Sequence, residues 1–254
     1  MKQAYLLTNQ DKRSGDISRW FKEKSLSASV KLTVNSARAD WFVVVGGDGT
    51  LLRAIREFRK YNKPFFGINR GTSGFLLNQI DSAEELAEIF LNFAACKLIK
   101  LNMLQGDFWA EGGRAAKSFY AFNDFYIKAS QGNDRIIGTI RGAKNFPKHE
   151  FDGDGVIIST PQGSTAYNYS AGGAIISLGA NQLAIKSICA KKSLRAVAPD
   201  QAITVEIERG QATAYADHGK ILTKVKKFKV KPSREAVRLA FKPGYDFEFK
   251  RWHV

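Results

Sequence analysis

Apolar residues follow two rhythms along the first hundred positions. Short unbroken runs of aromatic and β-branched residues suit strands buried on both faces. Between them lie longer segments whose apolar residues recur every three or four positions, as in helices covering a sheet. Residues 4–7, 41–45 and 64–68 read as strands, the second halted by Gly46-Gly47. Residues 17–24 predict a short helix with Trp20 and Phe21 turned inward. Residues 51–59 predict another, with Leu51, Leu52, Ile55 and Phe58 on one face and Arg53, Arg56 and Arg59 on the other. Thr50 is placed to cap it by accepting a hydrogen bond from an early backbone amide. Ser82-Ala83-Glu84-Glu85 has the form of a capping box ahead of the stripe Leu86, Ile89, Phe90 and Phe93. The alternation predicts an α/β amino-terminal domain over residues 1–95.

Beyond residue 95 the rhythm changes to short apolar segments separated by Gly, Asn, Asp, Pro and Lys. Residues 119–127, 135–141, 155–160, 202–208 and 226–231 are strand candidates, predicting a β-rich, sandwich-like domain over residues 96–232. Residues 233–254 form a carboxyl-terminal segment, and its run 241–252 is too apolar for a simple tail and is predicted to pack against something.

Composition narrows the class. With 44% hydrophobic and 25% charged residues in 254, the chain fits a folded protein rather than a disordered one. No apolar stretch approaches the ~18 residues of a membrane span, and the amino-terminal run is too short for a secretory signal, so a cytoplasmic location is expected. Cys96 and Cys189 imply neither a disulfide framework nor a metal cluster. The net charge of +15 favours anionic partners, either polyphosphorylated small molecules or nucleic acid. Much of that excess, Lys220, Lys224, Lys226, Lys227, Lys229, Lys231, Arg234 and Arg238, is interspersed with Val225, Phe228 and Val230, which suits outward strand positions better than an RNA-binding tail.

The candidate chemistry begins at Gly46-Gly47-Asp48-Gly49-Thr50, between a buried strand and an amphipathic helix. Glycines there allow close approach to phosphate, and the helix start directs unpaired N–H groups at an anion. Asp48 has no place in a simple phosphate cradle. It could bind a metal, accept a proton from a hydroxyl nucleophile, hold a ribose hydroxyl, or merely form a tight turn. The pattern is neither a Gly-x-x-x-x-Gly-Lys-Ser/Thr loop nor Gly-x-Gly-x-x-Gly, which counts against a P-loop hydrolase and a dinucleotide dehydrogenase. Further along stand Asn69-Arg70-Gly71-Thr72-Ser73-Gly74-Phe75, then Asn123-Asp124, then Asp152-Gly153-Asp154-Gly155, a short strand and Thr160-Pro161-Gln162-Gly163-Ser164-Thr165-Ala166-Tyr167, and late in the chain Asp217-His218-Gly219.

In this order the motifs resemble the NAD kinase family, whose superfamily includes phosphofructokinases and diacylglycerol-type lipid kinases. The resemblance implies two domains with the active site between them. It implies transfer of a phosphoryl group from ATP or polyphosphate to the adenosine ribose 2'-hydroxyl of NAD, with a divalent cation, probably magnesium, offsetting phosphate charge. Asp48 is implied as the catalytic group. Gly46, Gly47, Asn69, Arg70 and Gly71 are implied at the phosphate donor. Asp48, Gly49, Phe75, Asn123, Asp124, Asp154, Ser164, Thr165, Ala166, Tyr167 and His218 are implied at NAD, while the metal ligands stay unassigned. Ser73, Asp124, Asp152 and Ala174 depart from the family pattern, which often has leucine, glutamate, a basic residue and proline there. A homodimer or homotetramer is implied, with no membrane or nucleic-acid partner. A lipid or sugar kinase of the same superfamily, or a basic nucleotide-binding or nucleic-acid-binding protein, stands as the alternative.

Overall fold

The computed structural model describes residues 2–8, 12–21, 28–131, 134–142, 146–246 and 248–252. By backbone contacts the chain divides into one unit of residues 1–101 with 236–254 and a second of residues 102–235.

The first unit carries a parallel sheet. Its strands are β1 (Gln3–Thr8), β2 (Lys31–Leu32), β3 (Trp41–Gly46), β4 (Phe65–Asn69) and the end of β15 (Gly219–Phe241), in the order β2-β1-β3-β4-β15. Every residue of β3 is buried, because side chains alternate between two covered faces. Trp41, Val43 and Val45 join a cluster with Ile17, Leu86 and Phe90. Phe42 points the other way, against the rings of Tyr5, Phe58 and Phe65. The covering helices are α1 (Lys12–Trp20), α2 (Asp48–Phe58) and α3 (Ala83–Leu91).

Three local expectations meet different outcomes. The first helix begins at Lys12, earlier than the 17–24 pattern suggested, and residues 22–24 lie outside the described residues. Thr50 does not cap α2. The extended backbone of Gly47 takes the cap position, so the helix starts at Asp48 and Thr50 sits buried in its first turn. At α3 the cap is as expected, with Ser82 Oγ accepting from the Glu85 amide at 3.2 Å. Glu85 answers with its carboxylate, which also reaches the Asp81 amide at 2.8 Å and the Lys242 ammonium at 2.5 Å.

The second unit is antiparallel and rich in strands, as the change of rhythm predicted. Its elements are β5 (Lys97–Ala110, from residue 102), β6 (Lys117–Ala121), β7 (Asp124–Ala129), β8 (Ile136–Gly142), β9 (His149–Gly153), β10 (Gly155–Ser159), β11 (Gln182–Ile188), β12 (Arg195–Pro199), β13 (Ile203–Arg209), β14 (Ala212–Ala216) and the start of β15. One run is β12-β11-β10-β7-β14-β15, while β15 also pairs with β13, which leads to β8 and β9. Phe108, Phe125, Ile140, Ile158 and Phe228 belong to the shared core, and Phe108 stacks on Phe228 with ring centres 5.1 Å apart. Val225, Phe228 and Val230 are buried while Lys224, Lys227, Lys229 and Lys231 are exposed, so these lysines do occupy outward strand positions. The single strand read at 119–127 is two strands interrupted at Phe122-Asn123, where side chains rather than a neighbouring strand take the amides.

Within the first unit the carboxyl-terminal segment is tied down by Asn78. Its Nδ2 donates to the carbonyls of Gly67 (2.9 Å) and Ala240 (3.0 Å), and its Oδ1 accepts from the Lys242 amide (2.8 Å). Phe241 is buried as the apolar run implied, but Phe249 and Trp252 are exposed and Arg251 is the buried residue of that stretch. Asn78→Ala leaves several buried backbone groups without partners. It is expected to lower the unfolding free energy in urea by roughly 2–4 kcal/mol; a loss near zero contradicts this anchoring.

Candidate nucleotide and phosphate site

In the first unit β3 and β4 are parallel neighbours, so the loops that follow them emerge together at the carboxyl ends of the strands, where open α/β sheets bind ligands. The approach is close. A Cβ added at Gly71 would lie 3.0 Å from the Gly47 Cα, so side chains larger than hydrogen crowd this junction. The Arg70 amide donates to the Gly46 carbonyl at 2.9 Å, and Asn69 Oδ1 accepts from the Gly71 amide at 3.0 Å. Arg70 turns back on its own loop, its guanidinium donating to the carbonyls of Asn69 (2.9 Å) and Ile80 (3.1 Å) and lying 5.3 Å from the Trp20 ring centre.

Asp48 opens α2, and its two oxygens accept from the amides of Phe75 (3.0 Å) and Leu76 (3.1 Å). The carboxylate thereby holds the Gly74-Phe75-Leu76 turn against the helix start. Arg251 is fully buried, with its Nε 3.5 Å from Glu248 Oε2. Burial pulls its pKa down to about 10, opposed by the negative charges of Glu248 and Asp48.

The second unit builds a different half around Asn123-Asp124. Asp217 Oδ2 accepts from the Phe122 amide at 2.7 Å, and its Oδ1 accepts from the amides of Asn123 at 2.7 Å and Asp124 at 3.3 Å. On the other side, the Asn123 carbonyl accepts from the Thr160 amide (2.9 Å), Thr160 Oγ1 (3.0 Å) and Ser159 Oγ (3.2 Å). Gln162 Nε2 adds a bond to the Phe122 carbonyl at 2.8 Å. The pair is thus gripped through its backbone while Asn123 Oδ1 and both carboxyl oxygens of Asp124 are buried without hydrogen-bond partners. Buried polar atoms are normally satisfied, so three such oxygens together set this place apart from the surrounding core.

An aromatic group lies beside them. Tyr126 stacks on Tyr215 with ring centres 4.8 Å apart and meets Tyr167 edge-on at 4.9 Å; the His218 ring is 6.3 Å from Tyr126. Burial raises the Asp124 pKa well above the usual carboxylate value, and the Asp217 charge adds to the rise. Asp217 is also raised by burial, but the three amide donors act against that. Tyr126 is pushed up to about 12 by burial and by Asp124, Tyr167 and Tyr215. Asp152, by contrast, is held low by hydrogen bonds to Lys191 and Arg135, which sit at 2.9 and 2.7 Å.

The sequence-predicted residues therefore separate into two groups. Gly46, Gly47, Asp48, Gly49, Asn69, Arg70, Gly71 and Phe75 gather in the first unit; Asn123, Asp124, Asp154, Ser164, Thr165, Ala166, Tyr167 and His218 belong to the second. Ser164 is committed internally: its hydroxyl donates to the Pro161 carbonyl (2.7 Å) and accepts from the Ile176 amide (3.0 Å), with the residue wholly buried. Asp154 is partly buried, its backbone bonded to Ile188 and Ala129. His218 is exposed with φ of 68°. Sequence reasoning noticed Asp217 only as a turn residue and passed over Thr160, Gln162, Tyr126, Tyr215 and Arg251 as site elements. Strand alternation could have found the two tyrosines, since Tyr126 and Tyr215 are register partners on one face. Among the described residues no three His, Cys, Asp or Glu side chains converge to hold a metal ion.

Comparison with known proteins matches residues 2–95 to the ATP-NAD kinase N-terminal domain and residues 122–238 to the ATP-NAD kinase C-terminal domain. The chain is 32% identical to the NAD kinase of Lachnoclostridium phytofermentans over 219 residues, which span 81% of this chain and 76% of that one. It is 39% identical to the NAD kinase of Helicobacter pylori strain 26695 over 155 residues, which span 60% of this chain and 51% of the relative. In fold it is similar to yeast NADH kinase complexed with NADH, with a TM-score of 0.82, 18% identity, and coverage of 100% of this chain and 87% of the other. It is also similar to an NAD kinase from Archaeoglobus fulgidus in complex with ATP, with a TM-score of 0.76, 20% identity and 99% coverage of both.

The loop around Thr160 sits so close to Asn123 that a Cβ at Gly163 would fall 2.2 Å from the Asn123 carbonyl oxygen. Gly163→Ala is therefore expected to cost about 1–3 kcal/mol of stability, as overpacking does. An unchanged midpoint in chemical unfolding contradicts the contact.

Proposed function

The chain belongs to the ATP-NAD kinase family and is a phosphotransferase of that class, and we propose that it phosphorylates the 2'-hydroxyl of the adenosine ribose of NAD to give NADP. ATP or inorganic polyphosphate is the donor. The observation that carries the reading is the Asn123-Asp124 pair, gripped by its backbone and offering buried, unpartnered oxygens beside an aromatic group. Such a receptor suits a nucleoside, which brings its own donors and acceptors and a flat face. Tyr167 packs beside the dinucleotide in this reading. Thr165, Ala166, Asp154 and His218 border it, and Ser164 supports the loop from within.

Asp48 acts on the reacting hydroxyl. As O2' attacks the terminal phosphorus, its proton passes to the Asp48 carboxylate, the bond from that phosphorus to the bridging oxygen breaks, and the shortened donor leaves. The start of α2 faces the phosphates, its terminus favouring negative charge, and Gly71 leaves room for their close approach. Arg70 spends two N–H groups on loop carbonyls and has others for a phosphate oxygen. Magnesium enters only as a counter-ion of the donor's phosphates. The described residues offer no converging cluster of protein ligands for it, and no step above passes through the metal.

The direct test is incubation of the pure protein with magnesium, ATP and NAD, followed by mass spectrometry for NADP. Asp48→Asn is expected to lower turnover on the order of 100-fold to 10,000-fold, the scale of a positioned acid-base group. NAD affinity should change much less. Because both oxygens of Asp48 also hold amides, a small fall in thermal midpoint accompanies the loss. Near-wild-type turnover in the folded variant rejects the base.

A homodimer or homotetramer and a cytoplasmic location complete the proposal. Exposed Phe249 and Trp252 support association, and no helix among the described residues is long and apolar enough to cross a membrane. Light scattering at micromolar concentration should give a mass of at least two chains; a uniform monomer rejects the oligomer.

A further inference from the structure

Two carboxyl groups share the second-unit site, Asp124 buried and Asp217 partly so, and their surroundings differ sharply. Asp217 receives three amide donors, at 2.7, 2.7 and 3.3 Å. Asp124 receives none at either oxygen, and the residue is 1% exposed. Hydrogen bonds donated to a carboxylate favour its ionised form, whereas burial without donors favours the protonated acid. Close like charges cannot both ionise cheaply in such a place, so one proton is retained and Asp124 is where it sits.

The direction of the side chain matters as much as its proton. In β7, Phe125 and Ile127 point into the second unit's main core, while Tyr126 belongs to a separate cluster with Ile157 and Ile188, against which Tyr167 and Tyr215 pack. Alternation along the strand puts Asp124 on the Tyr126 face. The titratable groups on that face are Tyr126 and Lys128 from β7, Lys186 from β11, Tyr167 from α4 (Tyr167–Ser170), Tyr215 from β14, and Asp217 and His218 from the turn between β14 and β15. His218 is exposed and acts on Asp217, Lys128 is exposed, and Lys186 donates to Ser193 Oγ, so the charge that acts on Asp124 is that of Asp217.

We infer that Asp124 meets the nucleotide as a neutral carboxylic acid, donating its O–H to an acceptor atom of the nucleoside while its carbonyl accepts. The inference rests on the proposed placement of NAD at Asn123-Asp124 and assigns Asp124 the opposite hydrogen-bond polarity from the acceptor-only group implied by a carboxylate. Asn123 and Asp124 then present matched donor and acceptor edges with no net charge. Of the two carboxyl groups at this end of the site only Asp217 then carries a charge, and three amide donors hold it.

Binding of NAD to the full chain tests it by calorimetry between pH 5.5 and 9, with infrared spectroscopy as a second readout. The wild type is expected to show the carbonyl band of a protonated carboxyl at neutral pH, absent from Asp124→Asn, and its affinity is expected to hold or fall as pH rises. The amide is neutral and keeps one donor and one acceptor, so Asp124→Asn should bind within a few-fold of wild type with a flat pH profile. Asp124→Ala should bind roughly tenfold more weakly, the worth of about 1.4 kcal/mol of lost hydrogen bonding. Folding supplies an independent sign. A pKa raised in the folded state means that stability is complete below the ordinary aspartate range and declines as pH climbs toward the raised value. Asp124→Asn should therefore gain thermal midpoint relative to wild type as pH increases. An affinity that rises with pH, or no protonated band while Asp124→Ala still weakens binding, overturns the inference alone. A protonated band with Asp124→Ala binding NAD as tightly as wild type overturns the nucleotide placement, and the inference with it.

Discussion

The carboxylate of Asp217 closes over three consecutive amides, and the second unit's site depends on that clamp. A β-strand running through residues 119–127 would have sent those amides to a neighbouring strand and left Asn123 as one more alternating side chain. Because Asp217 takes the amides of Phe122, Asn123 and Asp124, the ladder breaks and the Asn123 carbonyl turns to Thr160 and Ser159 instead. Asp217 and His218 hold positive φ angles of 47° and 68°, a conformation that costs a non-glycine residue free energy. The three charge-assisted hydrogen bonds offset that cost.

Asp48 plays a comparable part in the first unit by another geometry. It begins a helix, where a negative charge is favourable, and spends both oxygens on the amides of Phe75 and Leu76. The carboxylate that we propose takes the proton thus also orders the turn beside it. Arg251, buried 3.5 Å from Glu248 and within the field of Asp48, adds a positive charge to this environment from the far end of the sequence. In both units an aspartate fixes backbone amides first and leaves chemistry to what that arrangement exposes.

Much of this was legible in the residues. The unbroken run at 41–45, the amphipathic stripe after Gly49 and the Ser82 cap produced the right elements because each rests on local rules of periodicity and capping. The lysines of β15 read correctly as an outward face because their apolar neighbours alternate with them. Thr50 misled because a threonine before an apolar stripe usually caps, and nothing local reveals that the Gly47 backbone does so instead. The break at Phe122-Asn123 was hidden for a different reason. Its cause, Asp217, stands 93 to 95 positions away, and only the fold brings the two together. Arg251 was hidden likewise, since an arginine between exposed aromatics carries no local sign of its burial.

The stretch from Asp152 to Gly173 is dense in hydroxyl and amide side chains, groups suited to surrounding a nucleotide. Most of them face inward. Thr160 bonds the carbonyls of Phe122 and Asn123, Gln162 those of Asn102 and Phe122, Ser164 that of Pro161, and Asn168 those of Ser164 and Ala174. These side chains build a loop that has little regular secondary structure of its own, and a buried loop must satisfy its backbone by such means. The polar density of the motif is therefore largely architecture. In the proposed placement of NAD, recognition is left to the few groups whose atoms remain without partners, Asn123 Oδ1 and the carboxyl of Asp124 foremost, and to the tyrosines beside them. A site of this kind gains its specificity from a small number of polar atoms that the scaffold forbids from finding each other.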